Sequence, residues 1–178
     1  MKEHEGVIYK HALSYPLNSI DLIDYCIDKG LLKELNECRK INDAYYHRQK
    51  RLRDRVEKML LNGACLFLTL TFNNETLETT TPGQRRKRVQ RFLKEYNCLY
   101  VANIDFGKEN GREHYHALIN TDKVDGKEWR KNNGDIDFKR VRNKDINNDK
   151  TKLAKYIAKL SNHAIKETTK RSVLIYSR

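Results

Sequence analysis

The sequence contains no apolar run that approaches the roughly 18 residues of a membrane span, and its first ten residues, MKEHEGVIYK, include no apolar signal core. We therefore expect a soluble, cytoplasmic protein without a membrane partner. The four cysteines lack CxxC spacing and stand among apolar neighbours, so we expect reduced core thiols and no disulfide or zinc site. A GxxxxGK[ST] phosphate-binding loop is also absent, which excludes a P-loop helicase within this sequence.

Acidic residues are outnumbered by basic ones. Lys and Arg total 36 against 24 Asp and Glu, which gives a formal net charge of +12. A charge of this size favours a polyanionic partner such as nucleic acid, although it says nothing about the fold. The length of 178 residues suits one domain with a real core and a small appendage.

The first 63 residues have the pattern of helices. Ser19 can cap a helix that carries Ile20, Ile23 and Ile27 at helical spacing, and Gly30 suits its end. A longer amphipathic helix should follow and end near Gly63. We therefore predict a helical N-terminal extension over residues 1–63, packed on or appended to a core over residues 64–178.

Strands dominate from residue 65 onward. Residues 65–72, CLFLTLTF, alternate between threonines and large apolar side chains, and further strands are expected over 98–106, 114–120, 134–141 and 171–177. Residues 73–81 are expected to form a loop. Helices are expected from Pro82, with a basic outer surface that includes Arg85, Arg86 and Arg88, and over residues 149–164. The predicted fold class is α+β: an antiparallel sheet with flanking helices, close to the split βαβ arrangement, preceded by the N-terminal helices.

The stretch GREHYHALIN contains a histidine pair with metal-binding potential. Strand alternation places His114 and His116 on one face, about 7 Å apart, and Tyr115 on the other. Asp105 ends the preceding strand, so antiparallel pairing can bring its carboxylate beside the two imidazoles. Two histidines and one carboxylate leave open positions for substrate oxygens on a divalent ion. Asn103, Glu109 and Asp125 remain alternative third ligands, while the adjacent Glu113 points to the opposite face.

The predicted helix over residues 149–164 carries a Tyr-x-x-Lys motif. Tyr156 lies at the edge of the apolar stripe, and Lys159 follows it by one turn. Edge-of-core tyrosines are common, so the motif carries weight only in combination with the histidine strand and the basic charge.

Three motifs in order, FLTLTF, HYHALI and YIAK, resemble motifs one to three of the HUH endonucleases, the rolling-circle replication initiators of plasmids and single-stranded DNA viruses. The wider pattern is similar to the initiators of small single-stranded DNA phages. The resemblance covers roughly residues 65–164 and leaves the N-terminal helices outside.

The resemblance implies that His114 and His116 bind Mg²⁺ or Mn²⁺ with Asp105 as the acidic third ligand. It implies that Tyr156 is the nucleophile that nicks single-stranded DNA at a replication origin and that Lys159 assists it. The setting implied is the cytoplasm of a bacterial or archaeal host, with a separate helicase and the host DNA polymerase as partners. Relatives with a second tyrosine carry it one turn further on, where this sequence has Leu160.

Phosphate contacts are expected from the threonine-bearing strand and from basic segments. The predicted DNA-binding residues are Thr69, Thr71, Arg85, Arg86, Arg88, Lys139, Arg140, Arg142 and Lys152. Two other interpretations remain. A one-tyrosine HUH transposase usually has glutamine four residues after its tyrosine, where Leu160 stands here. A non-enzymatic nucleic-acid-binding module would display sheet aromatics, but the aromatic-rich RNP pattern is absent.

Overall fold

Residues 20–106, 111–141 and 174–177 are described by a computed structural model of the chain. The helices are α1 (Ile20–Asp28), α2 (Leu32–Leu61), α3 (Asn74–Thr79), α4 (Pro82–Lys94) and α5 (Lys127–Asn132). The strands are β1 (Cys65–Phe72), β2 (Tyr100–Phe106), β3 (Glu113–Ile119), β4 (Gly134–Val141) and β5 (Leu174–Tyr176). The helix predicted over residues 149–164 and the Ser19 cap lie outside the described residues.

The five strands form one antiparallel sheet in the order β4-β1-β3-β2-β5. The α+β class, the antiparallel sheet and the flanking helices are therefore confirmed. The central strand β3 pairs with β1 on one side and with β2 on the other. Because β3 is the strand that carries the histidine pair, both neighbours can contribute side chains beside it.

The two faces of the sheet have different coverings. On the first, which we call the α4 face, the apolar side chains of all five strands pack against α4 through Val89, Phe92 and Leu93. On the second, which we call the histidine face, Phe67 and Leu118 pack against the C-terminal half of α2. Helix α2 thus covers the apolar part of the face that carries the histidines.

The N-terminal helices form a small cluster of their own before α2 reaches the sheet. Leu22 and Cys26 of α1 pack against Leu35 and Cys38 of α2. Further along α2, Arg55 donates to the backbone carbonyl of Ser177 at 2.6 Å, which ties the helix to the edge of the sheet beside β5. The boundary at residue 63 remains a prediction.

Two expectations about local structure are wrong. Residues 73–81 do not form only a loop, because α3 occupies most of the stretch and the Asn73 side chain caps it by accepting from the Thr76 backbone N–H at 2.8 Å. Helix α5 was not expected, and its N-cap is Gly126, which offers no side-chain cap. The predicted start of α4 is confirmed, since Thr81 and Gln84 form a capping box around Pro82.

The cysteines are free, as expected from their spacing. Cys26, Cys38 and Cys65 are buried and Cys98 is half-buried. Burial raises the pKa of the Cys65 thiol to about 11, so this residue is an inert core thiol at neutral pH. Within the described part of the chain, no helix combines the length and apolar character needed to cross a bilayer.

Candidate metal centre

Two polar rows cross the histidine face at the end of the sheet that α2 leaves uncovered. The first row runs Asp135, Thr71, His114 and Asp105 across β4, β1, β3 and β2, and the second runs Asp137, Thr69, His116 and Asn103. The next row, which contains Phe67 and Leu118, is apolar and meets α2. Register alone therefore gathers these polar side chains onto one patch.

Three ligand atoms meet in this patch. Oδ2 of Asp105 lies 3.6 Å from Nε2 of His114 and 3.3 Å from Nε2 of His116. The other carboxylate oxygen, Oδ1, accepts from the Phe106 backbone N–H at 2.9 Å, which holds the carboxylate so that Oδ2 faces the imidazoles. The expected pairing of Asp105 with the histidines is confirmed.

The opposite nitrogen of each imidazole is held by an oxygen. Nδ1 of His114 lies 3.1 Å from the Arg112 carbonyl, which can only accept, so this nitrogen carries the proton. Nδ1 of His116 lies 3.4 Å from Oγ1 of Thr69. Protonated Nδ1 atoms leave both Nε2 lone pairs directed towards Asp105, which is the arrangement that metal-ligating histidines adopt.

The spacing of the three atoms fits a single divalent cation. The candidate ligand atoms of Asp105, His114 and His116 all lie within 4.8 Å of one another. Neighbouring ligands of an octahedral ion, each about 2.1 Å from it, are about 3 Å apart, so a small closure suffices. An acceptor carboxylate and two neutral imidazoles are also the right chemistry, because they present lone pairs and one negative charge to a cation. This group could therefore hold a metal ion.

The alternative third ligands occupy other positions. Asn103 is fully buried opposite His116, so it borders the patch without belonging to the acidic group. Asp125 accepts from the Lys127 backbone N–H at the start of α5. Glu113 points to the α4 face, as strand alternation predicted. Glu109 lies outside the described residues.

Behind the histidines, Glu113 forms a buried ion pair with Arg85 of α4. The Nη2 and Nε atoms of Arg85 donate to Oε2 of Glu113 at 2.6 and 2.9 Å, and both side chains are less than a tenth exposed. Arg85 also donates to the backbone carbonyls of Leu77 and Thr80. The carboxylate raises the pKa of the Arg85 guanidinium, so the charge persists despite burial.

The expectation that Arg85 faces solvent is wrong. Arg85 precedes Val89 by one helical turn and therefore lies on the same buried stripe as Val89 and Phe92. A sequence signal did exist, because Glu113 is a charged residue on the apolar face of its strand and needs a buried partner.

The other predicted DNA-contact residues are spread over the described surface. Thr69 and Thr71 are half-buried on the histidine face, next to His116 and His114. Lys139 shares that face and is exposed, whereas Arg140 is exposed on the α4 side of β4. Half-buried Arg86 and Arg88 donate to the Leu174 carbonyl and to the Asn133 side chain, both at 2.9 Å. Tyr156, Lys159, Arg142 and Lys152 lie outside the described residues.

Two residues of the site were missed in the sequence. Arg112 orients His114 through its backbone carbonyl, and its side chain donates to the Phe72 carbonyl, which joins the ends of β1 and β3. A backbone contact leaves no trace in residue type, so no sequence signal could have found it. Phe106, 51% exposed beside the metal ligand Asp105, had a signal, because a large apolar residue at a strand end next to a polar site is unusual.

The fold and the site together define a class: an α+β protein whose central antiparallel sheet presents a His/His/Asp group able to hold a divalent metal. The model of the replication-associated protein family that is named for ORF2 and the gene 2 protein matches residues 65–161, which is more than half of the chain and contains that sheet and group. The chain belongs to this replication-associated protein family. Neither the curated proteins nor the solved structures include a match to it.

Replacing Thr69 by valine should weaken metal binding about 10-fold, because the hydroxyl that holds Nδ1 of His116 is lost while the shape is kept. Thr71→Val is the matched control. Thr71 shares the strand and the face, but its neighbour His114 is held by the Arg112 carbonyl instead. Calorimetric titration with Mn²⁺ measures both variants. Equal affinities for the two would show that the Thr69 hydroxyl does not orient the ligand.

Replacing Arg85 by methionine should lower the free energy of unfolding by about 3–5 kcal/mol, because the Glu113 carboxylate stays buried without its counter-charge. Lys87→Met on the exposed side of the same helix should change it by less than about 0.5 kcal/mol. Urea denaturation followed by circular dichroism gives both values. Losses of similar size would mean that the ion pair contributes little to stability.

Proposed function

We propose that the protein initiates rolling-circle replication as a metal-dependent HUH endonuclease that nicks and rejoins single-stranded DNA. Membership of the replication-associated family supports the replication role. The observation that carries the enzymatic part is the convergence of Asp105 Oδ2 with the Nε2 atoms of His114 and His116. A module that only bound nucleic acid would have no need for three such ligands with their protons directed away from the centre.

The proposed ion is Mg²⁺ or Mn²⁺, held by Asp105, His114 and His116. When bound, it would draw negative charge from a phosphodiester and stabilise the departing 3′ oxygen. The protein side chains do the rest. Thr69 and the Arg112 carbonyl hold the imidazoles in their ligating tautomer, and Phe67 packs against the His116 ring at 5.5 Å between centroids.

The proposed reaction exchanges one phosphodiester bond for another. The phenol oxygen of Tyr156 attacks phosphorus, the bond to the 3′ oxygen breaks, and the phenol proton is lost. The products are a 5′-phosphotyrosine and a free 3′-hydroxyl, which can prime synthesis or reverse the attachment. A free phenol has a pKa near 10, so only about one in a thousand is ionised at neutral pH. Lys159, one turn from Tyr156, is proposed to favour the ionised phenol and to counter charge on phosphorus.

The environments of the sheet tyrosines support Tyr156 as the nucleophile. Tyr115, beside the histidines in sequence, is 2% exposed on the α4 face, and burial raises the pKa of its hydroxyl. Burial also raises the pKa of Tyr176, against the opposing effect of nearby Arg51 and Arg55. The Arg55 guanidinium lies 5.3 Å from the centre of the Tyr176 ring, on the part of the face covered by α2. Hydroxyls in such places are poor attacking groups.

The substrate is proposed to be single-stranded DNA at a replication origin. The net charge of +12 favours a polyanion, and exposed Lys139 lies on the same face as the metal group. Thr69 and Thr71 are proposed to contact phosphates there, with Arg142 and Lys152 added from the sequence. Strand separation and synthesis are assigned to partners, a separate helicase and the host DNA polymerase.

The direct test is covalent capture. A 5′-labelled and a 3′-labelled single-stranded oligonucleotide from the origin of the encoding replicon are each incubated with Mn²⁺ and the protein. The strand 3′ of the nick should remain attached to the protein in denaturing gels. Tyr156→Phe should abolish this adduct, because the attacking oxygen is gone, while it changes affinity for the oligonucleotide less than about 3-fold.

Two controls separate the proposed roles. Tyr176→Phe removes a buried hydroxyl and should leave the adduct intact, whereas His116→Ala should abolish it and Mn²⁺ binding together. An adduct that persists in Tyr156→Phe would contradict the nucleophile assignment. A wild-type protein that binds the oligonucleotide but forms no adduct would instead support the non-enzymatic alternative. Joining of two element ends, without origin nicking, would indicate the transposase.

A further inference from the structure

An open cleft of about 480 Å³ lies at the same end of the sheet as the metal group, but on the α4 face. Phe106 and Leu77 provide its apolar wall, Arg112 and Asn74 its polar rim, and the buried pair Arg85 and Glu113 line its base. Its size falls within the range of small-ligand sites. None of the DNA-contact predictions made from the sequence explains this cleft.

Phe106 gives the cleft an unusual surface. The side chain is 51% exposed, although large aromatic residues usually gain by burial. Its chain neighbour Asp105 is a metal ligand, and alternation along β2 directs the two side chains to opposite faces. A strand of DNA that crosses this end of the sheet can therefore place a phosphate at the metal group and a neighbouring base against Phe106.

The base of the cleft contains an unsatisfied acceptor. Oε2 of Glu113 receives both donors from Arg85, while Oε1 is buried and has no hydrogen-bond partner within the described part of the chain. A buried carboxylate oxygen without a donor is costly, so an N–H group supplied by a ligand would be stabilising there. Exocyclic amino groups of cytosine, adenine and guanine are such donors, and thymine has none.

We infer that the cleft holds one unpaired base of the DNA, stacked on Phe106, and prefers a base with an exocyclic amino group. The inference rests on the proposed function, since it takes single-stranded DNA as the ligand. Stacking of one base on an aromatic side chain accounts for a substantial part of affinity and needs no base pairing. The amino group adds a preference that stacking alone lacks.

The test uses fluorescence anisotropy with labelled 12-nucleotide oligo(dC) and oligo(dT) and the full chain. Phe106→Ala should weaken oligo(dC) binding at least about 5-fold, and Phe106→Tyr should restore most of it. Phe138→Ala is the matched control, because Phe138 is 52% exposed on the α4 side of the edge strand β4 and does not line the cleft. It should leave affinity unchanged.

The wild type should also bind oligo(dC) more tightly than oligo(dT), and the ratio should shrink in Phe106→Ala. Mn²⁺ titration should give one affinity for wild type and Phe106→Ala, which separates the cleft from the metal group. Equal effects of Phe106→Ala and Phe138→Ala would overturn the stacking site, and a wild-type ratio of one would overturn the amino-group preference. A wild type that binds neither oligonucleotide would overturn the proposed function as well.

Discussion

The register between β2 and β3 is the constraint on which the site depends. Asp105 stands opposite His114, and Asn103 stands opposite His116. Because side chains alternate along a strand, a slip of one residue would turn Asp105 or the imidazoles to the α4 face and disperse the ligand atoms. The buried residues around these strands prevent that slip, since it would also bring the apolar set of β3 out of the core.

Strand β3 is fixed from both sides of the sheet. On the α4 face, Arg85 holds Glu113 in a buried ion pair, and one residue later His114 faces the other way towards Asp105. The Arg112 carbonyl then holds the far nitrogen of His114. The helix that closes the core thus also determines where the histidines begin, which explains why a charged pair is buried where apolar residues would be equally stable.

Most of the sheet and the central group were predictable, because a strand of period two reports its faces directly. The alternation of His114 with Tyr115 and the hairpin to Asp105 both followed from local pattern. Helix α5 was not predictable, since its Gly126 cap lacks a side-chain signal. The inward direction of Arg85 required knowledge of which strand residue would meet it, and that is a tertiary fact.

The central claim is that one divalent ion binds between Asp105, His114 and His116. Crystals soaked in Mn²⁺, with diffraction data collected at the manganese absorption edge, test it most directly. The account predicts one strong anomalous peak bonded to Oδ2 of Asp105 and to Nε2 of both histidines. A peak coordinated by Glu109 or Glu113 in place of Asp105, or no peak beside the histidines, would contradict it.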